Sequence, residues 1–298
     1  QHVLAGLDTI DRGSDLGALA LLDGDGALVG LFPFTPRGRI PSPVRTAFGS
    51  QNRYQFCGTP LVHRDQSDAV IDLWLDLMVG GRVPRLWILP DLDMGSQLAA
   101  LILAAARKRN LFTRQALPYE RAHLTRLAGG FEAHLTTVLS KNRLKDVRRT
   151  LRRLQEVGTI ALEHVEEPAQ MQHRLGDFLA LEHAGWKGAK GTSFLSRPDD
   201  AGFARAAYAA PLAAMDSLLL DGKPVAMKLS IRNGDCAFTP KITYDEAHRK
   251  LGPGMALEYL LIEAFYASGQ PGSVDAAATA EGHSALNFFN DHKAMATL

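Results

Sequence analysis

The spacing of hydrophobic positions changes several times along the chain. Ala18 to Leu22 and Ala27 to Phe32 flank Asp23-Gly24-Asp25-Gly26, and Asp-Gly supplies the positive φ that a tight hairpin needs. Val70, Ile71, Trp74, Leu75 and Met78 then recur at helical spacing, which predicts a helix over Gln66 to Val79 that stops at Gly80-Gly81. Arg85 to Leu89 reads as a short strand closed by Pro90. Ser96 looks like the N-cap of a helix over Gln97 to Lys108, and Leu111 to Leu117 reads as another strand.

After Ala128-Gly129-Gly130 the pattern predicts one long helix, Glu132 to Glu156, with Leu144, Val147, Leu151 and Leu154 on one stripe. Thr159 to Val165 alternates as a strand, and Pro168 suits the first position of a helix ending near His183. A second helix covers Asp199 to Ala210. Three strands follow, Met215 to Leu220, Pro224 to Ile231 and Cys236 to Tyr244, joined by Asp221-Gly222 and Asn233-Gly234. A glycine-rich loop leads into a helix over Met255 to Ser268. A short strand at Ser273 to Ala276 and a helix from about Ser284 to Asn290 are expected last.

Composition narrows the class without naming a function. The 298 residues are 46% hydrophobic and 22% charged, which are globular values and suit two ordinary domains. Lys and Arg number 33 against 32 Asp and Glu, so net charge argues for neither nucleic acid nor membrane. Cys57 and Cys236 have no partner at metal-ligand spacing, and a reducing compartment is the simpler expectation. The ten histidines form no metal-binding spacing, so no metal is expected. The longest apolar stretch, Leu98 to Ala106, is far short of the ~20 residues that span a bilayer. No signal peptide is visible, although Gln rather than Met at position 1 leaves a removed targeting segment open; a cytoplasmic location is the default expectation.

One feature carries chemistry. Arg249-Lys250-Leu251-Gly252-Pro253-Gly254 lies between a strand and a helix. Amides at a helix start are unpaired and sit at the positive end of the helix dipole, so such a turn is a ready anion site. A bare connecting turn is the plain alternative. Pro240, inside the preceding strand, suggests a bulge that would splay the sheet and free backbone donors; an ordinary edge-strand proline is the alternative. The cations Lys141, Arg143, Lys145, Arg148, Arg149, Arg152 and Arg153 mark either an anion-binding surface or a solvated helix face.

The order β-α-α-β-β-β-loop-α-β-α around Arg249-x-x-Gly252-x-Gly254 resembles the GNAT acyltransferases, whose Gln/Arg-x-x-Gly-x-Gly/Ala loop binds the pyrophosphate of CoA. A closer resemblance is to the CelD/BcsL-like branch, related to the Fem-type peptidyltransferases. It is carried by Arg143 to Leu154, Leu181-Glu-His-Ala-Gly-Trp-Lys-Gly188, Asp221-Gly-Lys-Pro-Val-Ala226, and Tyr244-Asp-Glu through Leu251-Gly-Pro-Gly254. The resemblance implies an α/β (α+β) fold of tandem GNAT-like domains, each a mixed, mostly antiparallel sheet flanked by helices. It places a degenerate GNAT-like domain at residues 1–127, a linker helix at 128–158 and the acyltransferase domain at 159–298.

It also implies an acyl group moved from acetyl-CoA or another acyl-CoA to an amine or hydroxyl of a small-molecule, glycan or peptide acceptor, in a branch associated with exopolysaccharide loci. Arg249, Lys250, Gly252, Gly254 and Met255, with Ile242 on the strand before them, are the expected cofactor contacts. Glu182, Trp186 and Lys241 are the expected acceptor contacts; a core Trp with an exposed Glu, and a solvated strand face at Lys241, are the alternatives. The chain departs from the pattern in lacking a Tyr at Asn287-Phe288-Phe289-Asn290 and a carboxylate within Cys236 to Tyr244. The proton acceptor is therefore sought at His283, whose imidazole titrates near neutrality, or at Asp275; a solvated cap histidine and a strand-end turn residue are the alternatives. Two rival functions remain: an aminoacyl-tRNA-dependent Fem-like transfer, suggested by the basic helix, and a silent scaffold, suggested by the two departures.

Overall fold

The structure, a computed structural model, describes residues 6, 9–10, 15–36, 45–209, 211–279 and 287–298. It separates into two units. One comprises Asp11–Glu120 with Lys293–Leu298, and the other Arg121–His292 with Gln1–Ile10. Among the described residues no helix is long and apolar enough to cross a membrane.

In the first unit β1 (Gly17–Leu22) and β2 (Leu28–Thr35) form the expected hairpin. Asp23 closes it, because its carboxylate accepts the amides of Asp25 and Ala27 at 3.0 and 2.9 Å. β3 (Thr46–Gly49) continues the sheet antiparallel to β2, β4 (Leu61–Val62) also pairs with β2, and β5 (Leu86–Ile88) joins β3 in parallel. Two helices, α1 (Ser67–Val79) and α2 (Gln97–Lys108), pack on this sheet, and Ser96 caps α2 by accepting the Ala99 amide. The core is aromatic, with Phe32 and Trp87 at 4.9 and 5.3 Å from Trp74. A further strand, β6 (Leu92–Asp93), pairs with the C-terminal strand Asp291–Thr297.

Two expectations fail here. The strand placed at Leu111 to Leu117 is instead β7, Ala116–Thr125. Asn110 takes a left-handed φ of 53° and the Leu111 amide still donates to Ala106, so the chain is turning off α2 where a strand was expected. The chain also runs on past the helix expected from about Ser284 to Asn290 into a strand, Asp291–Thr297; residues 284–286 of that expected helix lie outside those described.

The second unit is built on a sheet ordered β7-β12-β11-β10-β9-β8. Strands β8 (Ile160–Val165), β9 (Ala213–Leu220), β10 (Lys223–Asn233) and β11 (Cys236–Tyr244) are successive antiparallel neighbours. β12 (Ser273–Thr279) joins β11 in parallel and pairs antiparallel with the Arg121–Thr125 part of β7. Both units are thus mixed sheets flanked by helices, as the sequence predicted.

The long helix expected over Glu132 to Glu156 is two, α3 (Gly130–Val138) and α4 (Lys141–Val157). Leu139 is extended and Ser140 caps α4 by accepting the Arg143 amide. An apolar stripe that runs through the break hid the cap. α4 falls within the second unit. Its Leu154 is packed with Leu218, Ala226, Ala256 and Leu257 in the interior of the second unit. α5 (Pro168–Ala184), the short α6 (Trp186–Ala189), α7 (Pro198–Ala207) and α8 (Pro253–Ser268) complete this unit.

Side chains alternate across a strand, and this sorts the helices. Lys228 of β10, opposite Ile242, is held by Glu258 of α8. Lys241, one residue out of phase with Ile242, reaches Glu182 of α5 on the other face.

Leu154 is fully buried. Leu154→Ala is expected to cost about 3 kcal/mol of unfolding free energy in urea, the usual range for a buried leucine. A loss below about 1 kcal/mol would contradict the place of α4 in this core.

Candidate functional site

Proline has no amide to give a ladder, and β11 bends around Pro240. β10 and β11 run in register from Ala226↔Tyr244 to Leu229↔Lys241, then resume at Ile231↔Phe238, so β11 carries one extra residue at Thr239–Pro240. This is the bulge the sequence suggested. On its other edge β11 pairs with β12 only from Cys236 to Phe238. Beyond Phe238 the two parallel strands part. The Ile242 carbonyl accepts a bond from the Lys187 ammonium. In a strand the N–H and C=O of one residue point the same way, so the Ile242 amide faces the open edge too.

The chain leaves β11 through a 3-10 turn, Glu246–Leu251, capped by Asp245, whose carboxylate accepts the Ala247 amide at 2.9 Å. Gly252 follows at φ 62°, ψ 45°, a left-handed conformation that only glycine adopts without strain. Pro253, which has no amide, is the first residue of α8. The Gly252 carbonyl takes the amides of Met255 and Ala256 at 3.0 and 3.1 Å. Gly254 therefore presents the first amide of α8 that lacks a helical acceptor. Arg143 of α4 stands beside this turn, with its guanidinium 3.6 Å from the Met255 sulfur.

These elements line a cavity of about 320 Å³, bounded by the Gly252–Met255 turn and the Ile242–Tyr244 end of β11. Its remaining wall holds a cluster of charge. Glu182 is 1% exposed. Its Oε1 accepts from Lys241 Nζ at 2.9 Å and lies 3.6 Å from Lys187 Nζ, and its Oε2 accepts the Phe194 amide at 2.8 Å. Lys241 also lies 4.1 Å from the centroid of the Phe194 ring. Two ammonium groups thus share one carboxylate. Burial above all, with the Lys241 charge adding to it against the pull of Glu182, lowers the Lys187 ammonium to about 8. Lys187 is aimed by the tight entry to α6: a Cβ on Gly188 would fall 1.8 Å from the His183 carbonyl, so no side chain fits there. Trp186 is half-exposed, with Lys190 Nζ 5.0 Å from its ring centroid.

Of the residues singled out from sequence, Arg249, Gly252, Gly254, Met255, Ile242, Glu182 and Trp186 meet at this one cavity. Lys241 reaches it through Glu182. Lys250 is exposed on the 3-10 turn and is not part of the lining. Asp275 lies elsewhere, buried on β12. Its carboxylate is 3.7 Å from the Arg121 guanidinium and accepts the Ala277 amide at 2.8 Å. His283 lies outside the described residues.

Lys187 and Tyr244 were missed as site residues. A lysine beside a tryptophan at a helix end reads as solvent-facing, and only Glu182 five residues earlier hinted that it is not. The basic helix is partly spent on local pairs: Arg148 reaches Glu132 at 2.6 Å and Arg149 holds Asp146. Lys141, Lys145, Arg152 and Arg153 are exposed. Among the described residues no group of three potential ligands could hold a metal ion.

Residues 140–283 match the family described as acetyltransferase (GNAT) domain. A search of curated proteins gave no sequence match. Solved structures of similar fold include the C-terminal domain of a candidate lysylphosphatidylglycerol synthetase from Agrobacterium fabrum, 13% identical with a TM-score of 0.57, covering 99% of this chain and 90% of that one. L-PGS from Bacillus licheniformis is 13% identical with a TM-score of 0.56 and the same coverage. FemX is 13% identical with a TM-score of 0.57, covering 90% of this chain and 81% of that one. At these identities the likeness is one of fold.

Glu182→Gln leaves two buried ammonium groups without a counter-charge and is expected to cost about 3 kcal/mol in urea unfolding at pH 7, the size seen when one partner of a buried pair is removed. A loss below about 1 kcal/mol would contradict the cluster. Because the folded state holds Lys187 near 8, below its ordinary value, its burial opposes folding at lower pH. That opposition fades as pH rises from about 8 towards the ordinary lysine value of about 10.4. Lys187→Met should therefore flatten the rise of unfolding free energy over that window and leave Tm at pH 7 unreduced. An undiminished rise in the variant would assign the titration to another group.

Proposed function

We propose that the protein transfers an acyl group from acyl-CoA to an amine or hydroxyl, with the donor held at the start of α8 and the proton taken by Lys187. The observation that carries this reading is the junction of an anion-ready helix start, an open strand edge and a lysine with a lowered pKa around one cavity. The match of residues 140–283 to acetyltransferase (GNAT) domains supports it.

The Gly254 amide and the positive end of α8 would face the pyrophosphate, with Arg249, Lys250 and Arg143 supplying charge around the turn. The acyl-CoA would supply a thioester, whose thiolate leaves readily near neutral pH. Along the open edge of β11 the Ile242 amide is placed to donate to a developing oxyanion. Lys187, with its pKa near 8, holds enough neutral amine at working pH to accept a proton from the attacking group. Glu182 and Lys241 position it. Trp186, on the outer rim, would meet the acceptor. The resemblance to the CelD/BcsL-like branch favours a glycan or peptide acceptor linked to the cell envelope.

A second reading rests on the exposed Lys141, Lys145, Arg152 and Arg153 of α4 and on the fold shared with FemX: an aminoacyl donor carried on tRNA. Filter binding of tRNA separates the two. Tight binding that falls steeply with salt and is lost on charge reversal of those residues would favour this second reading over the first.

For the first reading, calorimetric titration should show acetyl-CoA binding in the micromolar range. Gly254 has room for a side chain, since a Cβ there would meet only Tyr244 at 3.6 Å. Gly254→Phe should therefore fold but bind at least about a hundredfold more weakly. Absence of binding to the wild type, or equal binding by the variant, would remove the turn from the mechanism. With a competent acceptor, kcat/KM should rise with pH to a plateau above about 8, and Lys187→Met should lose about a hundredfold or more along with that limb. A limb retained in the variant would place the base elsewhere.

A further inference from the structure

The second unit contains another cavity, of about 440 Å³, beneath α8 on the sheet face that carries Lys228. It shares no lining residue with the cavity at the Gly252 turn. The Thr239–Pro240 bulge separates the two along β11, because Ala237 and Thr239 line this cavity and Ile242 to Tyr244 line the other. One wall is apolar, formed by Leu124, Leu261, Phe265, Val274 and Phe289.

The opposite side holds a buried ion pair. Lys228 and Glu258 are 6% and 3% exposed, and Lys228 Nζ donates to both carboxylate oxygens at 2.8 Å. An ammonium has three N–H donors and a carboxylate about four acceptor positions. The pair is therefore mutually neutral yet keeps one donor and spare acceptor positions. The Phe289 ring, its centroid 5.5 Å from Nζ, completes the setting.

The other charges around the cavity are also balanced. His164 bonds Asp216 at 2.6 Å and lies 3.2 Å from Glu166. The bond to Asp216 raises its pKa to about 9, so it is charged at neutral pH. Arg232 donates to Gln270 at 3.1 Å. Lys228, His164 and Arg232 thus face Glu258, Asp216 and Glu166. A charged guest would bring an unbalanced charge against the buried Lys228–Glu258 pair, at considerable cost. A pure hydrocarbon would leave the spare Lys228 donor without a partner.

We infer that this cavity is a binding site for a small, mainly apolar molecule bearing one uncharged hydroxyl or carboxamide, which accepts from Lys228 and donates to Glu258. Its volume lies within the range of small-molecule sites. The inference is independent of the acyl-donor site.

A matched naphthalene series tests it on the full chain by ligand-observed NMR titration. 2-Naphthalenemethanol and 2-naphthamide should bind at least about tenfold more tightly than naphthalene, 2-naphthoate or 2-naphthylmethylamine. The volume-conserving double replacement Lys228→Met with Glu258→Met should abolish the preference for the polar heads over naphthalene. Acetyl-CoA should not displace the amide. Equal or tighter binding of the acid or the amine, displacement by acetyl-CoA, or no saturable binding up to about 1 mM would overturn the inference. If the double variant does not fold, the order of affinities on the wild type decides alone.

Discussion

β-Sheets hold together because each strand gives its amides to a neighbour, and Pro240 has none to give. The extra residue at Thr239–Pro240 shifts the ladder with β10, and β12 leaves β11 after Phe238. The rest of the site depends on that parting. It leaves the Ile242 edge open, gives Lys187 a carbonyl to hold, and ends at Tyr244, against whose ring the Gly254 turn sits. If β12 followed β11 to its end, a strand would occupy the space into which Ile242 now points.

Burial of charge is the second constraint. β10 and β11 each send one lysine into the interior, on opposite faces of the sheet, and each is met by a glutamate from a helix. The pairings differ in count. Lys228 has Glu258 to itself, whereas Lys241 shares Glu182 with Lys187. The first arrangement is one ammonium against one carboxylate. The second carries an excess positive charge, and the group that yields is the one whose proton is lowered to about 8. Desolvation and a like charge act in the same direction on Lys187, which is how buried sites tune a base towards neutral pH.

Much of this was legible in the sequence. The hairpin at Asp23, the Ser96 cap, the start of α5 at Pro168, the three antiparallel strands and the bulge at Pro240 each follow from a residue whose backbone or capping preference is narrow. The same holds for Gly252, since a strand-to-helix turn with Gly-Pro-Gly leaves few conformations. What escaped depends on tertiary partners. Ser140 was hidden because the apolar stripe runs on through it, and Lys187 because, beyond the hint of Glu182, nothing local says that Ile242 and Lys241 stand beside it. The pairing of Asp275 with Arg121 was not legible either, because the two lie more than a hundred residues apart in sequence.

The central claim is that the first free amide of α8 and the open edge of β11 receive the donor. Amide hydrogen exchange of the full chain, with and without saturating acetyl-CoA, tests it at the atoms concerned. The account predicts slowed exchange at Gly254 and Ile242, with the β8–β9 ladder unchanged. Protection confined to other segments, with Gly254 and Ile242 exchanging as in the free protein, would contradict it.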